Sequence, residues 1–152
     1  MAAPLIEESI EISATPAQVW TVISDLTRMG EWSPQCKKMI IIGKPVKAGT
    51  RTLNINRRGP LVWPTNSKVV TFEPEKELAF KVVENRTVWS YKLTPTDGGT
   101  LLTESRTAAG GQTTKLSSVL VDKVFGGNDS FETELAAGIR ETLGKIKRAA
   151  EA

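Results

Sequence analysis

The sequence predicts an α+β fold in which a curved, seven-stranded antiparallel sheet surrounds one long C-terminal helix, with two short helices after the first strand. Three observations carry that expectation. Between residues 36 and 108, short apolar and polar alternations recur between clusters of Gly, Pro and Asn. The longest segment of helical period comes last, at 128–149. The connections between strands are also too short for parallel crossovers, which need about a dozen residues or more. A single antiparallel sheet exposes an apolar face unless it curls and is covered, and the last helix is the available cover.

Residues 5–13 read as the first strand, in a rough period of two. Thr15-Pro16-Ala17-Gln18 then combines a capping hydroxyl, a proline at the first helical position and a glutamine three residues after the cap. Val19, Val22, Ile23 and Leu26 follow at helical spacing and end near Asp25. A second helical turn at 27–32 is interrupted at Gly30 and stopped by Pro34. Strands are expected at 38–43, 50–57, 63–73, 77–84, 87–94 and 100–108. The turns Arg58-Gly59-Pro60 and Pro95-Thr96-Asp97-Gly98-Gly99 punctuate them. Gly110-Gly111 and Gly126-Gly127 bracket a loop with a short helix at 114–124. The final helix carries Phe131, Leu135, Ile139, Leu143 and Ile146 on one stripe. About 22 residues at 1.5 Å each reach about 33 Å, so this helix lies across the sheet.

The 152 residues predict one domain, spanning 1–152. Apolar residues at 39% and charged residues at 24% are ordinary globular usage, which excludes a disordered or low-complexity chain. There is no histidine, so imidazole is excluded as base, shuttle or metal ligand. A single cysteine, Cys36, excludes an internal disulfide and a cysteine-cluster zinc site, and neither metal nor cofactor is expected. Twenty basic against 17 acidic residues give +3, too small an excess for nucleic acid. Lys145, Lys147 and Arg148 complement a helix C-terminus instead. The first nine residues lack a secretion signal, and no apolar run approaches 18 residues. The expectation is a soluble, cytoplasmic protein without stable membrane insertion, a monomer or weak homodimer. No P-loop, dinucleotide or nucleophile-elbow glycine motif is present.

On these strand phases the concave face takes Leu53, Ile55 and Arg57, then Thr65, Ser67, Val69 and Thr71. It continues with Leu78, Phe80, Val82 and Glu84, and with Thr87, Trp89 and Tyr91, while Phe131, Leu135, Ile139 and Leu143 cover the open side. Most of these are apolar, which suits an apolar small-molecule ligand; the polar minority would orient it. The rest of the fold exposes no apolar stripe on this reading. Cys36 reads as an inert thiol, Lys37 as a surface residue, Asp25 as a cap or a partner of Arg28, and Trp63 as a residue beside the loop at 59–64.

One stretch, Ile12-x-Ala14-x-Pro16-x-x-Val19-Trp20-x-Val22-Ile23-x-Asp25-x-x-Arg28-Met29-x-x-Trp32-Ser33-Pro34, resembles the opening of the START-like (SRPBCC) helix-grip superfamily, in particular its polyketide cyclase/dehydrase branch. Phe72-Glu73-Pro74 through Phe80, Trp89-x-Tyr91-x-Leu93-x-Pro95 through Glu104, and Gly138-Ile139 through Ile146-Lys147 agree in order and spacing. The resemblance implies a deep cavity between sheet and C-terminal helix for lipids, polyketides or similar molecules. It also implies a pocket carboxylate on the last strand, which falls on Glu104. Period two sets Arg106 on the same face. Glu104 and Arg106 form either an acid–base or ligand-orienting pair or a half-buried salt bridge, and Tyr91 and Trp89 are either ligand-facing or core aromatics. Carriage of an apolar ligand is the first reading. The alternative is a cyclase or dehydrase acting on a poly-β-ketone, with Glu104, Arg106 and Tyr91 as its candidate catalytic residues.

Overall fold

The structure is a computed structural model that describes residues 5–34, 36–43, 45–84, 86–108 and 128–152. Seven strands, β1 (Leu5–Ile12), β2 (Cys36–Ile42), β3 (Arg51–Arg58), β4 (Leu61–Glu73), β5 (Glu77–Val82), β6 (Thr87–Thr96) and β7 (Gly99–Ala108), form one sheet. Two short helices, α1 (Pro16–Ile23) and α2 (Met29–Trp32), follow β1, and α3 (Asn128–Glu151) ends the chain. The sheet order is β1-β7-β6-β5-β4-β3-β2 with every neighbour antiparallel, so the expected strands and the expected curved α+β fold are observed. The expected helix at 114–124, and the side-chain role expected of Phe131, fall outside the described residues.

The chain leaves β1 at one edge of the sheet and re-enters it as β2 at the other. Only α1, α2 and the 3-10 turn Leu26–Arg28 make that journey. The start of α1 is fixed locally. The Gln18 backbone N–H donates to Thr15 Oγ1 at 3.2 Å, and the Thr15 N–H donates to Gln18 Oε1 at 2.8 Å. Where α2 meets β2, Gly30 admits the chain because a Cβ there would stand 2.1 Å from the Lys37 carbonyl oxygen.

Register breaks at Cys36/Lys38 in β2 and Val69/Thr71 in β4 mark bulges, which bend a strand and increase its twist. The curved sheet then closes over α3, which packs on β1, α1 and α2. Ile12, Val19, Leu26, Val69, Leu78, Leu102, Leu143 and Ile146 are the largest apolar contributions to the fully buried core, at 1% exposure or less. No described helix is long and apolar enough to cross a membrane.

Candidate functional site

β6 and β7 bring the chemistry together through their register. Tyr91 stands opposite Glu104 and Trp89 opposite Arg106, so alternation turns all four side chains to the concave face. Tyr91, Glu104 and Arg106 are each 3% exposed, and Trp89 is half-buried. The Tyr91 hydroxyl donates to Met29 Sδ at 3.9 Å and stands across the ladder from Glu104, whose ionised form it favours. One carboxyl oxygen, Glu104 Oε1, is buried and has no hydrogen-bond partner.

Burial pushes the Glu104 carboxyl up to about 8, and the Tyr91 hydroxyl only partly opposes it. The carboxyl is therefore mostly protonated at neutral pH. Burial and the neighbouring Glu104 together push the Tyr91 phenol well above its ordinary value. Burial likewise raises the Cys36 thiol to about 11, which leaves it in the unreactive thiol form.

A second polar group lies on β3 and β4, on the concave side of the sheet. Thr52 Oγ1 hydrogen-bonds both Ser67 Oγ and Asn54 Oδ1, and the Asn54 amide donates to Thr65 Oγ1 at 3.3 Å and Ser67 Oγ at 3.4 Å. Asn56 extends the ladder by donating to Thr65 Oγ1 at 3.0 Å. Between the two polar groups, Val69, Leu78, Phe80 and Val82 are buried, with Leu135 and Ile139 of α3 also buried. At the hairpin end, Arg58 Nε donates to both Glu134 oxygens at 2.9 and 3.0 Å, joining β3 to α3.

Three strand assignments need correction, the first being Thr71: the bulge after Val69 pairs Thr71 with Ala79 and Phe72 with Leu78, so Phe72 rather than Thr71 turns to the concave face. Leu53, Ile55 and Arg57 do not line the concave face: Thr52 and Asn54 are buried, while Leu53 and Ile55 are half-buried and Arg57 is exposed, donating to the Gly59 carbonyl at 2.9 Å. The reason is the register of the hairpin. The two-residue turn at Gly59 and Pro60 pairs even positions of β3 with odd positions of β4, so inward Ser67 and Thr65 require inward Thr52 and Asn54. Glu84 also lies outside, accepting from the Asn66 N–H at 2.8 Å and its amide at 2.7 Å. Thr87 is buried at the β6 end, and Lys37 is exposed. Asp25 accepts from the Thr27 hydroxyl, whereas Arg28 pairs with Glu31 at 3.0 Å and stacks 4.9 Å over Trp32.

Met29, Thr52 and Asn54 belong to the site's surroundings although the sequence did not single them out. For Thr52 and Asn54 the missed signal was their pairing with two hydroxyl residues already assigned inward. No group of three or more acidic or cysteine side chains among the described residues has metal-binding geometry.

The sequence pattern of the family described as "Polyketide cyclase / dehydrase and lipid transport" matches residues 4–151. A polyketide-cyclase-like protein of Corynebacterium glutamicum is 30% identical, with 96% of this chain and 90% of that one covered and a TM-score of 0.65. The Zhui aromatase/cyclase of a Streptomyces species shares 16% identity over 97% of this chain and 93% of that one, at a TM-score of 0.72. The di-domain aromatase/cyclase BexL matches at 19% identity and a TM-score of 0.74, covering 97% of this chain and 50% of that one. These last two likenesses establish the fold alone. The curated proteins contain no match.

Proposed function

The chain belongs to the polyketide cyclase/dehydrase and lipid transport family, and from that premise we propose that it binds a small, largely apolar molecule carrying carbonyl or hydroxyl groups between the sheet and α3. The observation that carries this reading is Glu104. It is a buried carboxyl held mostly neutral, with one oxygen unpartnered, on a face that it shares with Tyr91, Trp89, Arg106 and the apolar Val69, Phe80 and Val82, and Leu135 of α3 is also buried. A buried polar group without a partner is costly, and a ligand hydroxyl or carbonyl relieves that cost while the apolar residues hold the ligand's body. Because the acid is neutral, it donates to a carbonyl without burying a charge. The hydroxyl and amide ladder from Thr52 to Asn56 favours an oxygenated ligand over a plain hydrocarbon chain.

A titration of tryptophan fluorescence with 1,8-dihydroxyanthraquinone tests this. Saturable quenching is expected at pH 6, weakening as Glu104 ionises through about 8. Glu104→Gln, which keeps the neutral shape, is expected to bind equally at both ends of that range. Absence of saturable binding by this probe and by a fluorescent fatty acid, or a pH profile that Glu104→Gln leaves unaltered, overturns the reading.

A second reading has its own support. A carboxyl displaced to about 8 beside a tyrosine is poised for proton transfer near neutral pH, and the related family chemistry includes cyclisation and dehydration. In that role ionised Glu104 removes a proton from the carbon between two ketone carbonyls, and the Tyr91 hydroxyl supports the resulting charge. The two readings diverge in sign. Turnover of a poly-β-ketone mimic would rise through pH 8 and vanish in Glu104→Gln, whereas binding falls over the same interval.

A further inference from the structure

The outer surface of the sheet is two surfaces. On β1 and β7 it presents Glu7, Ser9, Glu11, Thr103, Ser105 and Thr107, which are acids and hydroxyls, with half-buried Leu101 beside Glu11. On β2 through β5 the same face carries mainly aliphatic and basic side chains, with Glu73 and Glu77 at the β4–β5 turn end. Every large apolar side chain exposed among the described residues belongs to this half: Ile40 at 38%, Ile42 at 57%, Val62 at 58%, Val70 at 44% and Val83 at 59%. Half-buried Leu53 and Ile55 join them into one patch, because Leu53 stands opposite Ile40 and Ile55 opposite Pro64. This is the apolar stripe that the sequence reading of β3 denied, turned outward by the same register that turns Thr52 and Asn54 inward.

Five exposed cations, Lys38, Arg51, Arg57, Lys68 and Lys81, stand around and between these aliphatic residues. None of them forms an ion pair among the described residues. Of the carboxylates on or beside this face, Glu84 is engaged by Asn66 and Glu77 by the Ser90 hydroxyl, and Glu73 stands at the end of β4 away from Val62. We propose that the outer face of β2–β5 docks the protein peripherally on an anionic lipid bilayer, with the aliphatic side chains entering the headgroup boundary and the cations meeting lipid phosphates.

Charge and side-chain type select this occupant. A second copy of the same face would set cation against cation. A protein interface is typically anchored by Trp or Tyr, and this face has none: Trp89 and Tyr91 are on the concave side, Trp63 of β4 stands opposite Asn56 on that same concave side, and Trp20 and Trp32 are on the helices. Branched aliphatics with lysine and arginine stems around them suit a lipid boundary, where long basic side chains extend toward phosphate.

Flotation of the full chain with vesicles tests the proposal, comparing pure phosphatidylcholine with phosphatidylcholine containing about 30% phosphatidylglycerol. The protein is expected to float with the anionic vesicles only, less so at high ionic strength. Lys68→Glu and Arg51→Glu are each expected to weaken partition by about fivefold or more, and Ile42→Ser with Val62→Ser to weaken it further. Lys92→Glu, on the outer face of β6, should leave it unchanged. All five substituted positions are exposed, and an unaltered thermal transition confirms that folding is intact. Equal flotation with both vesicles, equal effects of Lys92→Glu and Lys68→Glu, or a concentration-dependent dimer abolished by Ile42→Ser with Val62→Ser would overturn the proposal, the last in favour of a second copy.

Discussion

At Glu104, burial rather than a neighbouring charge sets the protonation state, and that has a consequence for stability independent of any ligand. The folded carboxyl titrates at about 8, above its ordinary value of 4.5, so the folded chain holds a proton that the unfolded chain has released throughout that interval. Stability from this group is fully present below 4.5 and is lost as pH rises toward and through 8. Glu104→Gln removes the titration while keeping size and polarity. Its stability relative to the unaltered protein is expected to be near zero at pH 4.5 and to become progressively favourable up to pH 9. Urea denaturation across that range checks it, and a difference independent of pH would mean that Glu104 is ionised in the folded protein. Tyr91, by contrast, remains protonated over the whole range, because burial and Glu104 both oppose its ionisation.

At the level of elements, tight local geometry decides more than residue size. Thr15→Ala removes one side of the reciprocal cap on α1 and is expected to cost about 1 kcal/mol. Gly30→Ala adds a single methyl, yet that methyl would meet the Lys37 carbonyl at 2.1 Å, and backbone cannot swing aside as a side chain can. The expected cost is about 1–3 kcal/mol, larger than that of losing the cap; denaturation midpoints in the opposite order would show that α2 and β2 separate easily. The same elements explain what was legible in the sequence. The capping box, the order of the strands and the helical stripe from Leu135 to Ile146 are local patterns, and each is observed. Glu104, Arg106 and Tyr91 were named from resemblance and alternation, and the structure gathers them on adjacent strands. The phase of β3 was not legible from β3 alone. Leu53 and Ile55 alternate with Asn54 and Asn56, and the ordinary rule sends the aliphatic side inward. That rule fails here because Ser67 and Thr65 across the ladder give Thr52 and Asn54 hydrogen-bonding partners, which makes burying the polar side inexpensive. The information was present in the pairing between strands, and period counting within one strand could not reach it.

Over the whole molecule, α3 holds the sheet closed unevenly. Exposure along its buried stripe rises from 0% at Ile146 through 1% at Leu143 and 2% at Ile139 to 8% at Leu135. The C-terminal end is also tied to β1, where Lys147 donates to the Glu11 carbonyl at 2.9 Å and Glu151 accepts from the Ser13 N–H at 2.7 Å. Toward the other end, the Arg58–Glu134 pair is more than one third exposed on both partners, the class of ion pair that contributes about 1 kcal/mol or less. The helix is therefore expected to open first from its N-terminal side, the side that faces the β3–β4 hairpin. Amide hydrogen exchange should show protection falling steadily from residues 143–150 to residues 133–140. Since a ligand between sheet and helix replaces contacts that the loosely held half lacks, saturation with 1,8-dihydroxyanthraquinone should slow exchange at 133–140 far more than at 143–150. Uniform protection along α3 in the free protein would remove the basis for unequal closure. A ligand effect concentrated at 143–150 would put the binding space under the wrong half of the helix.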